Sequence, residues 1–203
     1  MEEKILFKSK SYQIEGLISK NNNKQGVVIT HPHPLYGGDM YNYVVESIAN
    51  TFQRKGYITL RFNFRGVGAS QGNYDNGIGE QDDVLSAISC LNDMGIKPTI
   101  LAGYSFGTWV NAMVNLNNTS ISQIIMVSPP VSFMNFSAIK SLPYLKLIVT
   151  GSEDDIAPSR IIQKMISIWN NKSQFEIIKG ADHFYAGYLK RLEEVIYESK
   201  ESI

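Results

Sequence analysis

Residues 99–113 read TILAGYSFGTWVNAM and contain an apolar run, a five-residue turn and a second apolar segment. This order predicts a buried strand, a tight turn and a buried helix. The turn is GYSFG at 103–107, and a side chain on either flanking glycine is expected to collide across it. Such a turn presents the hydroxyl of its central residue, Ser105, above the edge of the sheet. Ser105 is therefore the first candidate for a reactive residue.

A histidine downstream of this turn completes the second part of the pattern. A serine hydroxyl is a weak nucleophile at neutral pH and needs a base in contact with it. His183 is the only histidine after Ser105 and follows a strand-like run at 174–178. A loop just past a strand end can bring an imidazole over the serine, so His183 is predicted to be the base. A surface histidine without a role is the alternative.

An acidic segment lies between the serine and the histidine. The base needs a partner that holds its tautomer, and a carboxylate is the usual one. Three carboxylates follow the apolar run at 145–150, namely Glu153, Asp154 and Asp155. From position alone any of the three can orient His183, and the other two then belong to a solvated turn.

The order serine, acid, histidine is that of the α/β hydrolases, and the chain resembles this family over almost its whole length. The matching segments are HPHPLYGG at 31–38, RFNFRGVGAS at 61–70, GYSFG at 103–107, GSEDDIAP at 151–158 and ADHF at 181–184. More narrowly, the chain is similar to small lidless bacterial hydrolases of the dienelactone-hydrolase and esterase branch. The acid motif of this family is G-x-x-D-x-x-x-P, so the resemblance implies that Asp154 is the acid.

Acyl transfer also needs donors for a developing oxyanion, and backbone N–H groups commonly supply them. One expected donor is the amide of Phe106, the residue after the nucleophile. The second is expected from the loop that follows the run at 26–30, whose two prolines lack an N–H. Three other residues of that loop remain open: His33, Leu35 and Tyr36. The resemblance favours Leu35, because HPL at 33–35 aligns with the His-Gly-x of relatives.

Large apolar residues near these segments are candidates for an acyl pocket or for the core. They are Tyr36, Met40, Tyr104, Val131, Phe133, Phe184 and Tyr185. Among them, the residues we assign to the pocket are Tyr36, Tyr104, Val131 and Phe184.

Two further motifs are expected to be structural. His31 and His33 form an H-x-H pair, which can supply two metal ligands, but no third histidine or cysteine lies nearby. We therefore expect no metal and no cofactor, and we expect the pair to fix its loop by hydrogen bonds. Arg65 lies beside glycines without the helix and lysine of a phosphate-binding loop. It is expected to anchor its turn to Glu80 or Asp83.

Composition excludes several classes of function. The chain has 203 residues, zero formal net charge, 43% hydrophobic residues and 19% charged residues, as in an ordinary globular protein. We expect one domain over 1–203, with a small-molecule acyl substrate and without nucleic acid as a partner. The start lacks the apolar core of a signal peptide, and no run is long enough for a membrane span. Since Cys90 is the single cysteine, no internal disulfide can form, and a cytoplasmic location is expected.

Strand-like runs alternate with helical patterns along most of the chain, which predicts a mostly parallel eight-stranded sheet with helices on both faces. The first two runs are expected to form an antiparallel hairpin. The expected strands are 5–8, 12–18, 26–30, 57–62, 99–104, 123–128, 145–150 and 174–178, and a polar turn is expected at 21–23. Apolar stripes predict helices near 84–91, 161–169 and 189–196, the first led by Asp82 and Asp83. Only 129–143 separate two strands where larger hydrolases insert a lid, so no substantial lid is expected.

These observations together favour a serine hydrolase that acts on small acyl esters or thioesters. A non-catalytic binding module with the same fold is one alternative. Another is an acyltransferase or peptidase that uses the same three residues.

Overall fold

The computed structural model describes residues 2–19, 24–117 and 119–199, and the turn expected at 21–23 lies outside them. Eight strands form close to the apolar runs: β1 (Glu2–Ser9), β2 (Tyr12–Ser19), β3 (Gln25–Thr30), β4 (Ile58–Phe62), β5 (Lys97–Tyr104), β6 (Gln123–Val127), β7 (Leu145–Gly151) and β8 (Gln174–Ile178). Five helices accompany them: α1 (Tyr43–Arg54), α2 (Gly79–Asp93), α3 (Phe106–Met113), α4 (Ser159–Trp169) and α5 (Leu189–Glu198).

All eight strands belong to one sheet, in the order β1-β2-β4-β3-β5-β6-β7-β8. Strands β3 to β8 pair in parallel, which matches their continuous apolar sequences. Strands β1 and β2 form the expected antiparallel hairpin, and β2 also pairs antiparallel with β4. The predicted fold class is confirmed.

Each face of the sheet carries its own apolar core. On one face, α1 and α5 contribute Val45 and Leu192, which pack with strand residues such as Val127. On the other face, α2, α3 and α4 supply buried side chains such as Val110 and Ile162. The sheet therefore lies between two layers of helix, and only its edges and strand ends reach solvent.

The carboxyl ends of the parallel strands bring the sequence motifs together. The loop of residues 31–38 follows β3, Ser105 follows β5, Asp154 follows β7, and His183 follows β8. Parallel strands end at one edge of a sheet, so these segments meet there although they are far apart in the chain.

Between β6 and β7, residues 128–144 contain turns and no helix, so no helical lid covers this edge. Among the described residues, no helix combines the length and the apolar character that crossing a bilayer requires.

Candidate active site

The turn around Ser105 has the strained geometry that the sequence predicts. Ser105 has φ 51° and ψ −120°, in the region that glycine favours. Its N–H donates to the Val127 carbonyl at 2.9 Å, and its carbonyl accepts from the Thr108 hydroxyl at 2.7 Å. A Cβ added at Gly103 would lie 2.7 Å from Thr30 Oγ1, and one added at Gly107 would overlap the same side chain. The expected collision across the turn is present at Gly103, whose added Cβ would also lie 2.9 Å from the Gly107 backbone, whereas at Gly107 the collision is with Thr30 of β3.

Three side chains from distant segments are hydrogen-bonded in a row. His183 Nε2 lies 3.0 Å from Ser105 Oγ, and His183 Nδ1 lies 2.9 Å from each carboxylate oxygen of Asp154. All three residues are buried. The neighbouring carboxylates, Glu153 and Asp155, are exposed. Of the three acidic candidates, Asp154 is the one that contacts the imidazole.

Several donors surround the carboxylate of Asp154. The backbone N–H groups of Ile156 and Ala157 donate to Oδ1 at 3.0 and 2.7 Å. Burial by itself would raise the pKa of Asp154, but hydrogen bonds from His183 and Ser128 hold that pKa below its ordinary value. An ionised Asp154 accepts from Nδ1–H, which leaves the Nε2 lone pair facing Ser105.

Two buried tyrosines fix the loop that carries His183. The Tyr104 hydroxyl donates to the His183 carbonyl at 2.9 Å. The Tyr185 hydroxyl lies 2.8 Å from Ser128 Oγ, and both residues have positive φ, 55° and 48°. Tyr185 is fully buried and does not line the cavity beside Ser105, so it is not part of the pocket. No sequence motif surrounds Ser128, so its contact with Tyr185 is not predictable from the sequence.

In the loop after β3, the amide that is expected to be a donor is already hydrogen-bonded. Leu35 belongs to a short 3₁₀ turn, Pro34–Tyr36, and its N–H donates to His33 Nδ1 at 3.2 Å. The Tyr36 N–H donates to the His33 carbonyl at 3.1 Å. Both amides are therefore already paired, and the expected donor, Leu35, has no free N–H in this conformation. Within the described residues, the N–H groups of His33 and Phe106 have no acceptor, and both residues line the cavity beside Ser105.

The two histidines of this loop serve as hydrogen-bonding residues. His31 is fully buried, donates from Nδ1 to the Pro32 carbonyl at 2.7 Å and accepts the Phe64 N–H on Nε2 at 3.0 Å. Burial lowers the pKa of His31 from 6.5 to about 4. Burial also lowers the pKa of His33, whose Nε2 lies 3.3 Å from the Tyr74 hydroxyl. Across the described ranges, no group of three or more potential metal ligands is assembled.

The arginine of the neighbouring turn has the partner expected for it. Arg65 forms a bidentate salt bridge with Asp83 of α2, in which Nε donates to Oδ2 at 3.0 Å and Nη2 donates to Oδ1 at 2.8 Å. Ser9 Oγ donates to the same carboxylate at 2.7 Å. Both charged residues are buried, so this contact belongs to the scaffold.

A cavity of about 420 Å³ opens beside Ser105. Three of the four residues assigned to the pocket line it: Tyr36, Tyr104 and Phe184. Val131 does not line it, because its side chain packs against the core on the face that carries α2, α3 and α4. Its neighbours Pro130 and Phe133 face the cavity instead. Several other lining residues are not among the pocket candidates from the sequence: Gly37, Gly38, Asn42, Met134 and Ile156.

Comparison with known proteins gives relatives of similar length. The chain is 34% identical over 193 residues to the uncharacterized protein RP471 of Rickettsia prowazekii, covering 89% of this chain and 81% of that protein. It is similar to the structure of an α/β serine hydrolase homologue from Coxiella burnetii, with 33% identity, a TM-score of 0.89 and coverage of 98% and 97% of the two chains.

A third comparison concerns the fold alone. A lidless α/β serine hydrolase from Xanthomonas campestris superposes with a TM-score of 0.88 at 22% identity, covering 98% of this chain and 93% of that one. No protein-family model matches the chain.

Proposed function

The chain belongs to the α/β serine hydrolase family, and on that premise we propose that it hydrolyses small acyl esters or thioesters with Ser105 as the nucleophile. The observation that carries this proposal is the uninterrupted row of hydrogen bonds from Ser105 through His183 to Asp154. The row is the arrangement that serine-dependent acyl transfer requires.

In the first half of the reaction, His183 acts as the general base. Its Nε2 takes the proton from Ser105 Oγ while Oγ bonds to the acyl carbonyl carbon. Asp154 stabilises the imidazolium that results, and its paired backbone donors keep it ionised. His183 then gives the proton to the leaving oxygen or sulfur, which departs and leaves an acyl-serine. Water repeats the steps on the acyl-serine and releases the acid.

The negative charge of each tetrahedral intermediate needs donors, and we assign the N–H groups of His33 and Phe106 to this task. Both amides lack an acceptor within the described residues, whereas those of Leu35 and Tyr36 are paired. Losing a single donor of this kind costs about 10²–10³ in kcat in enzymes where it was removed.

The test combines active-site labelling with turnover. A fluorophosphonate is expected to label the native protein once, at Ser105, and an activated short-chain ester is expected to give a burst of product. Ser105→Ala is expected to lose the label and to reduce kcat by about 10⁴-fold or more. Native protein that remains unlabelled and hydrolyses neither esters nor thioesters would refute the proposal.

A second measurement separates hydrolysis from acyl transfer to other acceptors. Added alcohol competes with water for the acyl-serine, so the ratio of new ester to free acid reports the preference of the site. We expect free acid to dominate at low alcohol concentration, because the cavity opens to solvent without a helical lid.

A further inference from the structure

The lining of the cavity beside Ser105 carries no formal charge of its own. None of the described residues that line it is Lys, Arg, Asp or Glu. The carboxylate of Asp154 is buried and is already paired with the His183 ring. A substrate group in this cavity therefore finds no cation to pair with.

Three rings form one side of this cavity, and we call His33, Tyr36 and Phe133 the aromatic wall. Ring centroids lie 4.9 Å apart for His33 and Tyr36, and 5.8 Å apart for Tyr36 and Phe133. The third pair, His33 and Phe133, is 6.3 Å apart. These edge-to-face contacts hold the rings as one surface.

The wall leaves much of its apolar area in water. Tyr36 is 74% exposed and Phe133 is 57% exposed, although both face the cavity. Other side chains in the lining are apolar as well, since Pro130, Met134 and Ile156 contribute to it. Exposed apolar surface that is concentrated at a concave site gains free energy when an apolar ligand covers it.

We propose that the acyl group of the substrate is uncharged and apolar, and that the aromatic wall is its binding surface. This inference rests on the proposed function, because Ser105 must form the acyl-serine for the chain to lie there. A carboxylate at the far end of the acyl chain would lose its hydration in the cavity without gaining a charged partner, which opposes binding.

The first experiment compares activated esters of acetate, butyrate, hexanoate and the monoester of adipate. We expect kcat/KM to rise with chain length to hexanoate, by up to about fourfold for each methylene that the wall covers. The adipate monoester has six carbons like hexanoate but ends in a carboxylate, and we expect its kcat/KM to be about tenfold lower or more.

Variants of the wall test where the chain binds. Phe133→Ala is expected to lower the ratio of hexanoate to acetate kcat/KM. Phe133→Lys places a cation on the wall and is expected to raise the ratio of adipate monoester to hexanoate by up to about fivefold. Tyr43→Ala is the matched control, because Tyr43 is 75% exposed and does not line the cavity. It is expected to leave both ratios unchanged.

The outcomes separate this inference from the proposed function. This inference would be overturned, and the hydrolase proposal would stand, if Ser105 is labelled and acetate esters turn over but kcat/KM does not rise with chain length. The same holds if kcat/KM for the adipate monoester equals that for hexanoate. A rising series that Phe133→Ala and Phe133→Lys do not alter would overturn the role of the wall. Absence of both labelling and turnover would overturn both proposals.

Discussion

Ser105 combines its proposed reactivity with a backbone conformation that opposes folding. Its φ of 51° and ψ of −120° lie in a region of backbone conformation that residues with a Cβ avoid. Strain of this kind costs about 1–3 kcal/mol for one residue. The Ser105 N–H and carbonyl are both hydrogen-bonded, so the surrounding turn holds the residue in place.

Two variants of Ser105 separate strain from chemistry. Ser105→Ala and Ser105→Gly both remove the hydroxyl, but only Gly removes the Cβ. We expect the free energy of unfolding in urea to be about 1 kcal/mol higher for Ser105→Gly than for Ser105→Ala. This net value is the strain that glycine relieves minus the entropy that glycine adds to the unfolded chain. Both variants are expected to be inactive. If Ser105→Gly were instead less stable than Ser105→Ala by about 0.5–1 kcal/mol, the ordinary cost of glycine, the turn would store no strain at this position.

At the level of single residues, the sequence predicts side chains better than backbone donors. Ser105, Asp154 and His183 are found together because their types and their order along the chain carry the chemistry. The expectation of Leu35 as a donor shows the difference. Whether an amide is free depends on the 3₁₀ turn and on the His33 ring, and neither is visible in the local sequence.

The elements show a similar division. The strands are predictable because buried parallel strands require continuous apolar runs. Helix α1 is missing from the sequence-based expectations, although Asn42 caps it through Val44 N–H at 3.0 Å and an apolar stripe follows. Helix α2 begins at Gly79, before the expected acidic pair. Asp82 lies in its first turn as expected, whereas Asp83 faces the core and pairs with Arg65.

The salt bridge between Arg65 and Asp83 of α2 can be tested by substitution, with the adjacent Asp82 as the control. Asp83→Asn removes the charge that a buried arginine faces, so we expect it to lower the free energy of unfolding by about 3–5 kcal/mol. Asp82 is the adjacent carboxylate, 4.0 Å from the same guanidinium and partly exposed. Asp82→Asn is expected to cost at most about 1 kcal/mol. Urea titrations of both variants measure the contrast, and similar losses would contradict this role for Asp83.

On the scale of the whole molecule, the site depends on contacts that cross from one segment of the chain to another. The side chain of His31, just after β3, accepts the N–H of Phe64, which follows β4. The N–H of the next residue, Arg65, donates to Asp83 of α2. Through these contacts the loop that contains His33 is fixed to the scaffold. A fully buried, neutral histidine at this junction makes global stability depend on pH.

The direction of that dependence follows from the lowered pKa of His31. Between pH 6.5 and about 4, the unfolded chain binds a proton at His31 that the folded protein does not. The free energy of unfolding must therefore fall as the pH falls through this range, by up to about 3 kcal/mol from this residue. His33 adds a change in the same direction, because burial lowers its pKa too. Asp154 has a lowered pKa as a carboxylate, so its contribution is lost only at more acid pH.

His31→Gln isolates this contribution, because the amide oxygen of Gln can accept the Phe64 N–H while the residue no longer titrates. We expect the native protein to lose more stability than His31→Gln when urea unfolding is compared at pH 7.5 and pH 4.5. The variant is expected to start from a lower stability at pH 7.5, since Gln reproduces only part of the imidazole contacts. Parallel loss of stability in the two proteins would mean that His31 is not the buried neutral group on which the acid sensitivity depends.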